Sequence, residues 1–214
     1  MSSELSFFGE HLIVGLNGTT LQPAEKKLLK ELSPLGIILF AKNIEQKSDL
    51  SWTGAFIDLV NRAADLAGRP DFIVSIDHEG GRVHRFPSAL TRFSAARLWE
   101  EYSRDVGLAM GTELAALGVT TSFAPVLDVH SEEANPVIGE RALSSDPVEV
   151  ATRGLAVFHG LEAAGVLACG KHFPGHGATL QDSHHELPKL NLDLDTLRER
   201  ELLPFQGLAN AGIP

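Results

Sequence analysis

The stretch Lys171–His184, KHFPGHGATLQDSH, gathers three histidines, a lysine and an aspartate into fourteen residues. Pro174, Gly175 and Gly177 interrupt any helix or strand, so these groups ride on an irregular loop. His172 and His176 have the H-x-x-x-H spacing that holds zinc when a helix aligns both rings and a glutamate follows the first histidine. Pro174 and Gly175 deny the helix, and Phe173 stands where the glutamate would, so no metal is expected. Ser183 lacks the flanking glycines of a nucleophile elbow. Acid/base work combined with ligand hydrogen bonding remains. Asp182 and His184 are two apart; on an extended or turning segment the carboxylate can hold the imidazole and set it to exchange protons near neutrality. A surface ion pair is the plainer alternative for the same two residues. Lys171 and His172 directly follow an apolar run and supply donors suited to a polyhydroxylated ligand.

Five apolar runs would position such loops: LIVGL (12–16), GIILF (36–40), FIVSI (72–76), VTTSF (119–123) and VLACG (166–170). They lack polar alternation, as parallel strands buried on both faces do. Between and after them lie helical patterns over 23–32, 48–66, 95–117, 147–164 and 195–211. Pro23 and Pro147 suit first helical turns, and Ser48 and Asp146 suit caps. The junctions PLGII, ALGVT, AAGVL and NAGIP each set a glycine where a helix should stop and a strand begin. The β/α alternation predicts an α/β fold with a mainly parallel sheet. It reads as about five β/α units of a (β/α)8 TIM-type barrel, with Ile213 and Pro214 as the expected opening of a sixth strand. A complete five-stranded doubly wound domain is the competing architecture.

The longest stretches without helical pattern, 77–94, 124–145 and 171–194, each follow a predicted strand. That end of a parallel sheet is where ligands bind. Asp77 opens the first, DHEGGRVHRFP, in which Gly80 and Gly81 permit a tight turn and Arg82 and Arg85 are candidate ligand clamps or partners of Glu79. The second carries Asp128, a candidate for binding a hydroxyl or for holding Arg141, whose planar fork suits a carboxylate or hydroxyl. Asn43 follows strand 36–40 on the same side.

The chain has 214 residues, 43% hydrophobic and 21% charged, the proportions of one folded domain with a core. A formal net charge of −10 argues against nucleic-acid or anionic-membrane partners. The single cysteine, Cys169, lies in an apolar run and cannot form an internal disulfide. The N-terminus lacks the basic and long apolar segments of a signal peptide, and no run approaches transmembrane length. A cytoplasmic protein is expected.

The segments GIILFAKNI, SIDHEGGRVHRF, FAPVLDV, NPVIGERAL, KHFPGHGATLQDSHHELP and LLPF, in this order, resemble glycoside hydrolase family 3, in its bacterial β-N-acetylglucosaminidase (β-hexosaminidase) branch. The resemblance implies a (β/α)8 barrel and a retaining mechanism through a covalent glycosyl-enzyme. It implies that His184 is the general acid/base, paired with Asp182, in place of the usual second carboxylate. The family's sugar-binding residues match Asp77, Arg141, Lys171 and His172, and Arg85 joins them as a substrate-binding candidate. The implied substrate is a terminal β-linked N-acetylglucosamine on a small carbohydrate or muropeptide during peptidoglycan recycling, with no metal or organic cofactor. Ala178 departs from the family's usual aspartate. The family's nucleophilic aspartate has no match in this chain and is expected beyond residue 214, making residues 1–214 an incomplete barrel domain. A truncated, inactive sugar-binding protein and a phosphorolytic relative are the alternatives.

Overall fold

The apolar runs pair into one sheet. In the computed structural model, which describes residues 2–179, 187, 189–190 and 192–212, the strands are β1 (Ile13–Gly15), β2 (Gly36–Leu39), β3 (Ile73–Ile76), β4 (Thr121–Ser122) and β5 (Leu167–Ala168). All neighbours are parallel, in the order β1-β2-β3-β4-β5, with Gly36 opposite both Ile13 and Ile73 and Thr121 opposite both Ser75 and Leu167. Sequential order decides between the two architectures. A doubly wound sheet reverses its strand order at a switch point, whereas a barrel adds every strand on the same side. The five units are an arc of the barrel type. Each strand is shorter than its apolar run by one to three end residues, which belong to the flanking loops.

The helices are α1 (Ser2–Gly9), α2 (Pro23–Leu32), α3 (Thr53–Ala67), α4 (Ser103–Ala116), α5 (Pro147–Ala163), α6 (Leu194–Thr196) and α7 (Leu203–Asn210). Neighbours pack in turn: α1 on α2, α2 on α3, α4 on α5, α5 on α7. Pro23 and Pro147 occupy first turns as expected. Asp146 caps α5 by accepting from the Val148 and Glu149 amides, worth about 1 kcal/mol. The buried Glu25 carboxylate accepts from the Asn17 and Gln22 amides and so ties the β1 loop to the start of α2.

Several expectations need correction. Asp49, not Ser48, caps the turn before α3, because its carboxylate reaches the Ser51 amide. The single helix expected over 95–117 is two 3-10 turns followed by α4. The pattern over 195–211 is broken between α6 and α7 by a π-helical turn, Leu197–Glu201. Helix α1 gave no signal. Gly118 and Gly165 do take the left-handed conformation at helix ends, but at the PLGII junction that role falls to Ser33. Gly36 is needed for closeness instead: a Cβ there would lie 2.3 Å from the Ile73 carbonyl oxygen of the neighbouring strand. The NAGIP strand residues, Ile213 and Pro214, lie outside the described residues.

The core runs between sheet and helices. Ile37, Leu39 and Ile76 from the strands meet Leu29, Trp52, Phe56, Met110, Leu114 and Leu161 from the helices. Phe86 stacks on Trp52 with ring centres 5.8 Å apart, which pins the far end of the β3 loop to the core. A smaller cluster of Leu127, Val129, Val150 and Leu208 lies beneath the β4 and β5 loops. The loops that carry the chemistry therefore stand on two packed platforms.

Candidate active site

The three long loops meet above the strand ends. Asp77, Glu79, Val83, Arg85, Phe123, Val137, Arg141, Lys171, His172 and His176 line a cavity of about 400 Å³. The sequence-predicted Asp77, Arg85, Arg141, Lys171 and His172 are thus brought together. Asp182 and His184 lie outside the described residues.

The cavity is built as a lattice of alternating charge. Lys171 Nζ lies 2.6 Å from Asp77 Oδ1 and 2.5 Å from Glu79 Oε1. Arg141 grips Glu79 with both edges of its fork, Nε to Oε2 at 2.8 Å and Nη2 to Oε1 at 2.9 Å. Its Nη1 donates to the Val137 carbonyl at 3.0 Å. Arg85 stands 3.9 Å from Asp77 Oδ2, at ion-pair range only. Burial pushes the Glu79 carboxyl up, but Arg141 and Lys171 outweigh it and hold the group below the usual carboxylate range. Burial disfavours the Arg141 charge; Glu79, with Asp128 and Asp77, overcomes this and raises the guanidinium above its ordinary value.

Behind the cavity, Asp128 is fully buried and saturated. Its Oδ1 accepts from the His176 amide at 2.7 Å and the His172 amide at 3.3 Å, and its Oδ2 lies 2.6 Å from His172 Nδ1. That contact assigns the proton to Nδ1 and leaves the Nε2 lone pair towards Arg141 Nη2, 3.4 Å away. Asp128 therefore serves neither role expected of it. It is wholly buried, and among the described residues Glu79 rather than Asp128 hydrogen-bonds Arg141; Asp128 orients His172. Arg82 is exposed and donates to the Pro136 and Val137 carbonyls, so it does not pair with Glu79. Asn43 is buried and structural: it takes the Phe40 amide and donates to the Leu16 and Gly18 carbonyls.

Three residues that sequence reasoning passed over support the site. Glu79, 4% exposed, joins Lys171 to Arg141. A signal existed: Asp77 and Glu79 are two apart at the end of a strand, so they share a face. His78, between them, turns the other way, against Phe86, Phe93 and His84. Burial, followed by the charges of His84, Arg85 and Arg92, lowers its pKa to about 3, so it is neutral there. Asn135 staples the β4 loop to the β5 loop. Its amide donates to the His176 and Gly177 carbonyls, and its oxygen accepts from the Val137 and Ile138 amides. Gly177 permits this approach, since a Cβ would collide with the Val129 carbonyl. His176 Nδ1 and the Thr179 hydroxyl, 2.6 Å apart, close the described part of the loop. Among the described residues, no group of three or more His, Cys, Asp or Glu side chains gathers to hold a metal ion.

A parallel β/α arc with its polar network at the strand C-termini defines a barrel-type protein with its site at the usual end. More specifically, the chain belongs to glycosyl hydrolase family 3: residues 10–214 match the Glycosyl hydrolase family 3 N terminal domain. It is 40% identical over 201 residues to a beta-hexosaminidase of Methylococcus capsulatus, covering 90% of this chain and 58% of that protein. It is 36% identical to a beta-hexosaminidase of Pseudomonas aeruginosa, covering 92% of this chain and 59% of that protein. NagZ from Neisseria gonorrhoeae, solved in complex with N-trifluoroacetyl-D-glucosamine, superposes with a TM-score of 0.85 at 34% identity, over 95% of this chain and 61% of that one. A glycoside hydrolase family 3 beta-N-acetylglucosaminidase from Paenibacillus sp. gives 0.88 at 32% identity, over 100% of this chain and 40% of that one. The chain spans about three-fifths of the length of the curated relatives it matches. Among the described residues, no helix is long and apolar enough to cross a membrane.

Proposed function

We propose that residues 1–214 supply the sugar-holding part and the acid/base of a retaining glycosidase that releases terminal β-linked N-acetylglucosamine, on peptidoglycan fragments in the cytoplasm. One observation carries the reading: the cavity balances its charges. Asp77 and Glu79 in the lining, with Asp128 buried behind it, match Arg85, Arg141 and Lys171 in number, and the ion pairs of Asp77 and Glu79 interlock. A fixed lattice with no excess charge suits a neutral, polyhydroxylated ring better than an anion. The unused valences fit hydroxyls. Lys171 spends two of its three N–H groups on carboxylates, and among the described residues Asp77 Oδ2 has only the distant Arg85.

In this reading Asp77, Arg85, Arg141, Lys171 and His172 hold the sugar, and His184, backed by Asp182, protonates the leaving oxygen and then activates water. None of the three carboxylates described at the site is offered as nucleophile, because each is held by cations or by the imidazole. The nucleophile belongs to the family's later barrel strands. The test is hydrolysis of aryl β-N-acetylglucosaminides by the whole gene product. His184→Ala should slow a poor leaving group by about 10²–10⁴-fold and an activated one far less. An equal rate on the poor leaving group would remove His184 from the acid/base role. Sugar 1-phosphate formed only in the presence of phosphate would turn the reading towards phosphorolysis.

A further inference from the structure

Glu201 is a buried carboxylic acid that the sugar lattice does not use. It closes the π-helical turn Leu197–Glu201 and is 1% exposed. A π-turn inserts an extra residue into the helical path and re-aims the side chains that follow it. The re-aimed carboxyl passes beneath the β5 loop. At Gly175 a Cβ would lie 2.8 Å from both Cβ and Oε2 of Glu201, so loop backbone and acid are in direct contact. Glu201 Oε1 accepts from Arg200 Nε at 2.7 Å and from the Ser131 hydroxyl at 3.4 Å. Its Oε2 is buried without a hydrogen-bond partner among the described residues. Phe173 of the same loop meets Phe205 of α7 edge to face at 5.5 Å, a second tie between this helical segment and the loop.

We propose that Glu201 is a positioning residue: from the π-turn it fills the space under Gly175 and links the seat of the His172–His176 segment to Ser131, keeping His172 aligned on Asp128. The carboxyl is held by an ion pair with Arg200 as well as by burial. Burial, opposed by Arg200 and Ser131 but reinforced by the charge of Asp128, raises the carboxyl above its ordinary value. Glutamine is its isosteric substitute and keeps the oxygen that accepts from Arg200 and Ser131. The consequence for sugar binding rests on His172 holding the sugar, as proposed above.

The experiment uses the whole gene product with Glu201→Ala, Glu201→Asp and Glu201→Gln. Two quantities are read: the downfield proton resonance of His172 Nδ1–H, identified by its loss in Asp128→Asn, and the calorimetric Kd for N-acetylglucosamine. Circular dichroism confirms folding. Glu201→Ala should lose or broaden the resonance and weaken binding about tenfold, the equivalent of one well-placed hydrogen bond. Glu201→Gln should keep the resonance and bind within about twofold of the parent, since an amide keeps the shape under Gly175 and the oxygen that accepts from Arg200 and Ser131. Glu201→Asp, which withdraws the acid by one methylene, should also lose the resonance, and it decides the matter if Glu201→Ala does not fold. An unchanged resonance in the folded Ala or Asp variant overturns the proposal. So does a Gln variant as defective as Ala. A parent chain that shows the resonance but binds no sugar refutes the sugar reading, while the resonance alone still judges Glu201.

Discussion

Acidification should weaken this fold through one buried imidazole. His78 is 2% exposed, with its ring against His84 at 4.6 Å, Phe86 at 5.1 Å and Phe93 at 6.2 Å. The charged groups acting on it are His84, Arg85 and Arg92, which disfavour its cation, and Glu79, which favours it more weakly. Its folded pKa is lowered to about 3, against about 6.5 in the unfolded chain. Between those values the unfolded state binds the proton and the folded state does not, so stability falls as pH falls through this window. Going from pH 7.5 to 5.0 removes about 2 kcal/mol, and the full window, at about 1.4 kcal/mol per unit, removes about 5. Urea unfolding followed by the fluorescence of the buried Trp52 and Trp99 measures this at both pH values. His78→Gln supplies the reference, because carboxylates and other histidines titrate in both proteins and cancel in the difference. The parent should lose about 2 kcal/mol more than the Gln variant over that interval. Equal losses would refute the reasoning, as would a His78 C2–H resonance that titrates near pH 6.5 in the folded protein.

Other perturbations have separable signatures. Glu79→Gln leaves Arg141 and Lys171 without their shared buried counter-charge and should cost about 3–5 kcal/mol in urea unfolding; an unmoved midpoint would show the pairing idle. Asn135→Ala removes four hydrogen bonds, two across to the β5 loop and two within the β4 loop, about 4 kcal/mol at roughly 1 each. Limited proteolysis should then cut within 131–141 or 171–179 under conditions that spare the parent. Asp128→Asn should weaken N-acetylglucosamine binding by at least about tenfold in calorimetry at unchanged helix content, because an amide cannot accept from both the His172 ring and two loop amides.

Much of this architecture is legible because its signals are local. Parallel strands buried on both faces write continuous apolar runs, so all five strands fall inside the runs that announce them. Caps with a proline at the first turn fix α2 and α5 to within a residue. Strand order is not local, and only the pairing of β1 through β5 removes the doubly wound alternative. Asp77, Lys171 and His172 are legible for a similar reason: each sits within a few residues of a strand end, where the fold class puts its chemistry, while Arg85 and Arg141 are brought in by the long loops that follow.

The supporting residues fail that rule in instructive ways. Asp128 satisfies it too, yet a strand-end carboxylate can face the ligand or the scaffold, and only its complete burial decides. Glu79 could have been read from its i, i+2 relation to Asp77, but its partners lie 62 and 92 residues away in sequence. Glu201 has no such signal. Its helix reads as ordinary, and the π-turn that swings its carboxyl under Gly175 follows from packing against the β5 loop, not from propensity. A residue's role is visible in sequence when the backbone that aims it is regular. Where the backbone is irregular, as at both Glu201 and the loop it supports, the aim is set by tertiary contacts. The decisive measurement is then on the contact, here the His172 proton, rather than on the residue type.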